Sequence, residues 1–146
     1  MSNNFEYRYH FKQPVEEVFN CIKQEQLNFF KQYDKSINTL KKGLKIKREM
    51  PTKISHELVK VKMIVQELIE NKVIEVVTRY HQGDIVTTYS LEENNGETDL
   101  VYAEDNHFDN GNQALNFQLV GFFYKWMYKR QIKKRMQYIE SKMMGA

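Results

Sequence analysis

Six side chains in the second half of the chain could do chemistry together. They are Thr78, Tyr80, Thr87, Tyr89, Tyr102 and Glu104. A carboxylate enclosed by apolar groups has a raised pKa and can act as a general acid or base, while tyrosine hydroxyls can hold the polar atoms of a ligand. An apolar wall with a few such polar points is typical of a small-molecule site. The alternative is a packed core in which the hydroxyls and Glu104 reach water at its rim.

Other reaction chemistries find little support. The histidines at 10, 56, 81 and 107 lack the spacing of a metal site, and the segment EDNHFDN (104–110) lacks the ligand spacing of a calcium loop. No Ser-His-Asp order, phosphate-binding glycine loop or thiol–base pair is readable. Cys21 is the only cysteine, which excludes an internal disulfide and predicts a structural thiol. We therefore assign no catalytic residue, and we expect no metal and no cofactor.

The elements that must position the six side chains are mostly strands. FEYRYHFK (5–12) alternates apolar and polar residues, and five further segments do the same or are rich in β-branched residues. They are 43–50, 56–69, 72–81, 84–91 and 98–108. The connections are short, and Asn95-Gly96 is a strong hairpin signal, so these strands are predicted to form an antiparallel meander.

Helices are predicted at two places. After the first strand, Pro14 opens an apolar-acidic helix, PVEEVFNCI, and a second short helix, LNFFKQY (27–33), follows it. From about Gly111 to Met144 apolar residues recur at helical spacing, which predicts one long amphipathic helix. An antiparallel sheet with one wet face must bury the other against something, and this helix is the one element of sufficient size. The fold class is therefore α+β, with a six- to seven-stranded antiparallel sheet wrapped round the C-terminal helix.

This order of elements, together with the strand followed by PVEEVFNCI and its Val18-Phe19 pair, resembles the SRPBCC superfamily, also called START-like, Bet v 1-like or polyketide cyclase-like. The resemblance covers essentially the whole chain, as a single domain of residues 1–146, and is strongest to small bacterial members. It implies a helix-grip fold with a cavity for a hydrophobic small molecule between the sheet and the C-terminal helix. None of the matching motifs is catalytic, and a fold does not by itself imply a function.

Alternation selects the side chains that would line such a cavity. If Val59, Val61, Met63 and Val65 point inward, the same phase on the later strands places the three tyrosines and Glu104 inside, and helical spacing adds two aromatics. The predicted ligand-binding residues are Val61, Met63, Tyr80, Tyr89, Tyr102, Glu104, Phe122 and Trp126.

The C-terminal segment FFYKWMYKRQIKKR (122–135) holds five aromatic and six basic residues. Helical phasing puts Trp126, Ile132 and Met136 on one side and most of the cations elsewhere, which indicates a buried face and a solvated face. Phe123, Tyr124 and Tyr128 exceed what one buried face needs. Intramolecular packing, a homodimer contact, an anionic membrane surface and a nucleic acid all stay open for them, with intramolecular packing favoured over the other three.

The composition indicates the class of protein. The chain has 146 residues, 41% of them hydrophobic and 28% charged, with a net charge of +3, as in a globular domain. The N-terminus lacks the apolar core of a secretory signal and no apolar run is long enough to span a membrane, so a cytoplasmic location is expected. The sequence favours a binder of a small hydrophobic or aromatic molecule, for which enzyme activity is not required. The alternatives are a polyketide cyclase-like enzyme using Glu104 and the tyrosines, and an interaction module using the aromatic-basic helix.

Overall fold

The computed structural model describes residues 2–51, 58–80, 83–108 and 129–145, which form six strands and two helices. In chain order these elements are β1 (Ser2–Phe11), α1 (Val15–Lys31), β2 (Lys45–Pro51), β3 (Leu58–Ile69), β4 (Val73–Tyr80), β5 (Gly83–Asn94), β6 (Glu97–Phe108) and α2 (residues 129–145). The predicted α+β class is confirmed, and the arrangement is compatible with a helix-grip fold.

The strands form one antiparallel sheet in the spatial order β1-β6-β5-β4-β3-β2. Each strand from β2 to β5 pairs with the strand that follows it in the chain. Strand β1 pairs with β6 and forms the edge opposite β2. The predicted hairpin between β5 and β6 is present: Asn94 pairs with Glu97, and Asn95 and Gly96 have positive φ angles of 54° and 81°. Two positive φ angles at the centre of a two-residue loop match the right-handed twist of the strands on either side.

One sheet face, called here the inner face, carries the apolar side chains and packs against both helices. Phe11, Val65, Ile74 and Leu100 are almost fully buried on it. The strand phase is kept across the sheet, except that a register shift between Val65 and Glu67 inserts one residue into β3. Such a bulge moves the alternation by one position, and Leu68 accordingly packs against the core.

Helix α1 is one helix of 17 residues, where the sequence predicts two short ones. The segment contains no proline or glycine after Pro14, and Gln24 donates a hydrogen bond to Asn28 one turn later, so nothing interrupts the helix. Pro14 also differs from the prediction, because its backbone is extended and it precedes the first helical residue. The predicted apolar stripe of Val15, Val18 and Ile22 is buried.

Helix α2 packs through a stripe of Ile132, Met136 and Ile139, which are all buried. Two polar contacts also hold it. Lys142 Nζ donates to Glu25 Oε1 of α1 at 2.5 Å, and the Tyr9 hydroxyl of β1 donates to Glu140 Oε1 at 3.3 Å. The part of the predicted C-terminal helix before residue 129 lies outside the described residues. Neither described helix has the length and apolar character needed to cross a membrane.

We expect Ile139→Ala to lower the free energy of unfolding by about 2–5 kcal/mol, since it removes a fully buried side chain at the junction of α2 and the sheet. Urea denaturation of the wild type and the variant measures the loss. Gln137→Ala, on the exposed side of the same turn, is the control and should change stability by no more than about 0.5 kcal/mol. Equal effects of the two substitutions would contradict the packing of α2 on the sheet.

The imidazole of His10 links β1 to β6. Its Nδ1 lies 2.7 Å from Asp99 Oδ1 and its Nε2 lies 2.5 Å from Glu97 Oε1. The hydrogen bond to Asp99, with the one to Glu97, raises the pKa of His10 above its ordinary value of 6.5. The same bond lowers the pKa of Asp99 below its ordinary value of 3.8. Both shifts favour the charged pair in the folded state.

The two shifts together predict a pH window for the contribution of His10 to stability. The part due to His10 is fully present below pH 6.5 and is lost as pH rises through its raised folded pKa, while the part due to Asp99 is present above pH 3.8 and is lost as pH falls. Denaturation of wild type and His10→Gln across this range should therefore show the largest difference between pH 3.8 and 6.5. A difference independent of pH would argue against the charged link.

Candidate functional site

The polar side chains predicted to lie inside gather on β5 and β6, in the middle of the inner face. Tyr89 pairs with Tyr102, which pairs in turn with Tyr7 of β1. Thr87 pairs with Glu104, two residues further along the two strands. Because a pleated strand alternates its side chains, these paired positions share one face. Tyr89 is 1% exposed and Tyr102 is 5% exposed, so both rings belong to the core.

Tyr102 and Glu104 form a hydrogen-bonded pair on one strand. The Tyr102 hydroxyl donates to Glu104 Oε2 at 2.6 Å, over the two-residue spacing that places both on the same face. Burial, with the Glu104 charge beside it, raises the pKa of Tyr102 far above its ordinary value. The hydroxyl therefore stays protonated and acts as a donor, while the half-buried Glu104 offers a charged acceptor.

Tyr89 connects this pair to both helices. Its ring meets the ring of Tyr102 edge-on, with centroids 5.2 Å apart, and Gln26 of α1 donates to its hydroxyl at 3.3 Å. The guanidinium carbon of Arg135 of α2 lies 5.3 Å from the Tyr89 ring centroid, which is cation–π distance. Burial raises the pKa of Tyr89, and the Arg135 charge opposes this in part.

Arg135 corrects one sequence interpretation. Helical phasing predicts that Arg135, like most of the cations of the C-terminal helix, lies away from the buried face. Lys129, Arg130, Lys133 and Lys134 are indeed exposed, but Arg135 is half-buried over Tyr89. Its position between Ile132 and Met136 brings it to the border of the buried stripe, where the long side chain turns inward.

The other predicted ligand-binding residues have mixed surroundings. Val61 is buried on β3, Met63 packs against the core, and Tyr80 is half-buried near the end of β4. Phe122 and Trp126 lie outside the described residues, as do the surplus aromatics Phe123, Tyr124 and Tyr128. The inner face thus brings together Tyr89, Tyr102 and Glu104, with Val61, Met63 and Tyr80 further along the sheet.

Three residues on or against this face are not among those predicted from the sequence. Gln26 reaches the face from α1, where it donates to the Tyr89 hydroxyl, and Asn106 continues the inward phase of β6, where it is 6% exposed. The third, Arg48, follows the buried Ile46 by two residues on β2 and therefore shares its face. Extending the alternation to β2 and to the end of β6 finds Arg48 and Asn106, while Gln26 leaves no periodic signal.

Metal and thiol chemistry find no site among the described residues. No group of three histidine, cysteine, aspartate or glutamate side chains is placed to hold a metal ion in the described ranges. Cys21 is half-buried and packs against the core, and burial raises the pKa of its thiol. A protonated, partly covered thiol is a poor nucleophile, in agreement with a structural role.

The opposite, outer face of the sheet carries an open groove of about 500 Å³. Its charged lining on the outer face consists of Lys47, Glu49, Lys60, Lys62 and Arg79, and Arg48 and Val61, which belong to the inner phase of β2 and β3, also border it. Lys47, Lys62 and Arg79 stand directly opposite one another on β2, β3 and β4, and Arg79 lies 3.7 Å from Asp84. Like charges facing across strands repel, so the groove has a positive potential.

Comparison with solved structures places this geometry among known folds. Ara h 8.0201 is similar over 100% of both chains, with a TM-score of 0.57 and 11% identity. TTHA0849 from Thermus thermophilus is similar over 97% of both chains (TM-score 0.61, 10% identity). CV1439 from Chromobacterium violaceum is similar over 94% of this chain and 97% of its own (TM-score 0.57, 15% identity). At such identities the likeness shows the fold alone.

No curated protein matches the chain. A family model does match it, over residues 6–125, from the first strand through the whole sheet and into the C-terminal segment. The protein therefore belongs to the family described as "Domain of unknown function (DUF3284)".

Proposed function

We propose that this protein binds a small hydrophobic or aromatic molecule against the inner face of the sheet, on the side covered by α2. The observation that carries the proposal is the Tyr89, Tyr102 and Glu104 group. The group places two hydroxyls and one carboxylate in a mostly apolar wall. The Tyr102 hydroxyl oxygen lies 2.6 Å from Glu104 Oε2. Small-molecule sites have this composition of an apolar surface with few oriented polar groups.

The protonation of the group defines what it can recognise. Tyr89 and Tyr102 have raised pKa values and stay neutral. Tyr102 donates its one proton to Glu104, so the Tyr89 hydroxyl is the tyrosine that can donate to a ligand. Glu104 is an acceptor for a hydroxyl or amine. A small, mostly apolar molecule with one or two polar atoms fits such a wall, and it can be held without any covalent step.

The fold supports the same proposal. An antiparallel sheet wrapped round a helix can leave an internal space between them, and the arrangement of this chain is compatible with such a helix-grip fold. Phe122 and Trp126 stay in the proposal as residues of the opposite wall. A cytoplasmic location and formation of a homodimer also stay predictions from the sequence.

A substitution that fills the proposed site should separate ligand binding from folding. Thr87 faces inward opposite Val76 and Glu104, while its neighbour Thr88 faces outward and donates to Glu75 at 3.1 Å. We expect Thr87→Phe to reduce ligand binding by about tenfold or more, since the added ring occupies ligand space, and Thr88→Phe to leave it unchanged. Native mass spectrometry of co-purified molecules and thermal shift across a library of lipids and aromatics identify the ligand to be used.

A densely filled core predicts a different result. Overpacking costs about 1–3 kcal/mol in stability, so Thr87→Phe would then destabilise the protein without any ligand to displace. A wild-type protein that carries no molecule after purification, and whose melting temperature no library compound raises, would contradict the proposed function.

A second candidate is an acid–base enzyme of the polyketide cyclase kind. The short hydrogen bond between Tyr102 and Glu104 favours it, because a carboxylate that is held in place and partly desolvated can accept a proton from a bound substrate. Tyr102, with its raised pKa, would not act as the base, and its hydroxyl would hold the Glu104 carboxylate in place by the hydrogen bond that it donates.

Glu104→Gln distinguishes the two candidates. Glutamine keeps an oxygen that can accept the Tyr102 hydrogen bond, so we expect the fold and the binding of a neutral ligand to be retained. An enzyme that uses Glu104 as its base should lose about two orders of magnitude or more in turnover of any substrate that the binding screen reveals. Ligand bound unchanged by both proteins, with no turnover by either, leaves binding alone as the function.

A further inference from the structure

Arg48 is a cation on the apolar side of the sheet. It pairs directly with Val61 of β3, and Ile46 precedes it on the same face of β2. Val61 is 5% exposed and Ile46 is 4% exposed, so both neighbours are buried. Lys47, between Ile46 and Arg48 in the chain, is exposed on the outer face. The register therefore directs the Arg48 side chain toward the inner face, at the edge of the wall described above.

Two aromatic rings fix the orientation of this side chain. The Arg48 guanidinium carbon lies 5.2 Å from the ring centroid of Phe29 and 4.9 Å from that of Tyr33, at the C-terminal end of α1. Guanidinium groups stack on aromatic faces in this way and keep their donors in a planar fork. The rings hold the side chain in place, with its N–H groups at the edge of the guanidinium plane.

The guanidinium group of Arg48 has one N–H donor without an acceptor. Arg48 Nε is buried from water and has no hydrogen-bond partner. None of the ion pairs between described residues involves Arg48 either. Buried N–H groups in folded proteins nearly always have a partner, so an unpaired one within a charged group points to an acceptor supplied from outside the chain.

We propose that Arg48 binds the anionic head group, a carboxylate or a phosphate, of an amphipathic ligand whose apolar part lies along Val61 and Met63. The inference rests on the proposed binding function and names the class of its ligand. A carboxylate or phosphate can accept from Nε and a terminal nitrogen of the guanidinium together, in the bidentate geometry that arginine favours. Van der Waals contact with the buried side chains of β3 then holds the apolar part.

Three ligands with the same apolar chain test the inference: dodecanoate, dodecyl phosphate and 1-dodecanol. Isothermal titration calorimetry of the wild-type protein should give at least one of the two anions a dissociation constant about tenfold or more below that of the alcohol. Whichever anion shows the preference identifies the head group. Arg48→Gln should remove the preference and leave the affinity for 1-dodecanol unchanged.

Lys47→Gln is the matched control, because it removes the same charge one residue away on the outer face. It should leave the preference for the anion intact. Arg48→Lys keeps the charge but has no Nε donor, so it should lose most of the preference. This variant also decides the matter if Arg48→Gln does not fold, since a lysine can keep the cation between the rings.

Distinct results overturn the head-group inference and the proposed function. Equal affinities of the wild type for the anions and the alcohol, or an equal loss of preference in Lys47→Gln, would overturn the role of Arg48 and leave hydrophobic binding standing. Failure of all three ligands and of the lipid and aromatic library to bind would overturn both.

Discussion

The apolar inner face of the sheet has to be covered, and most of the structure follows from this requirement. A six-stranded antiparallel sheet with Val65, Ile74 and Leu100 on one side exposes far too much apolar surface unless other elements lie against it. Helix α1 supplies Val18, Phe19 and Ile22, and α2 supplies its three-residue stripe. The stability of both helices therefore comes mainly from packing against the sheet, and their intrinsic helix propensity decides little beyond where they begin and end.

Covering a sheet with two helices brings polar groups into contact with the core at the line where the helices meet. Tyr89 lies at that line, with Gln26 from α1 at its hydroxyl and Arg135 from α2 at its ring. Tyr102 and Glu104 extend the group on the neighbouring strand. A displacement of either helix would remove a partner from a buried hydroxyl, so the position of both helices is coupled to the chemistry of this one group.

Strand phase explains what could be predicted from the sequence. Alternation identified the inward positions on β1 and on β3 to β6, because a half-buried strand repeats every two residues and the hairpin at Asn95-Gly96 fixes the register of two of them. Helix boundaries were less readable. Two short helices are predicted after β1, where the structure has the single helix α1. The inward turn of Arg135 and the buried donor of Arg48 depend on contacts between elements distant in sequence, which periodicity does not encode.

Strand β2 forms one edge of the sheet, where a second molecule of the same protein could approach. Within the described residues it pairs with β3 alone, so one row of its backbone N–H and C=O groups is without a strand partner in the sheet. Such rows can recruit the edge of a second chain and start aggregation. Here Lys45 and Lys47 stand exposed on the edge, with Lys60 and Lys62 on the strand behind it. Two copies that approach through β2 bring some of these ammonium groups close together, which disfavours pairing at this edge, and dissolved salt weakens that repulsion by screening it.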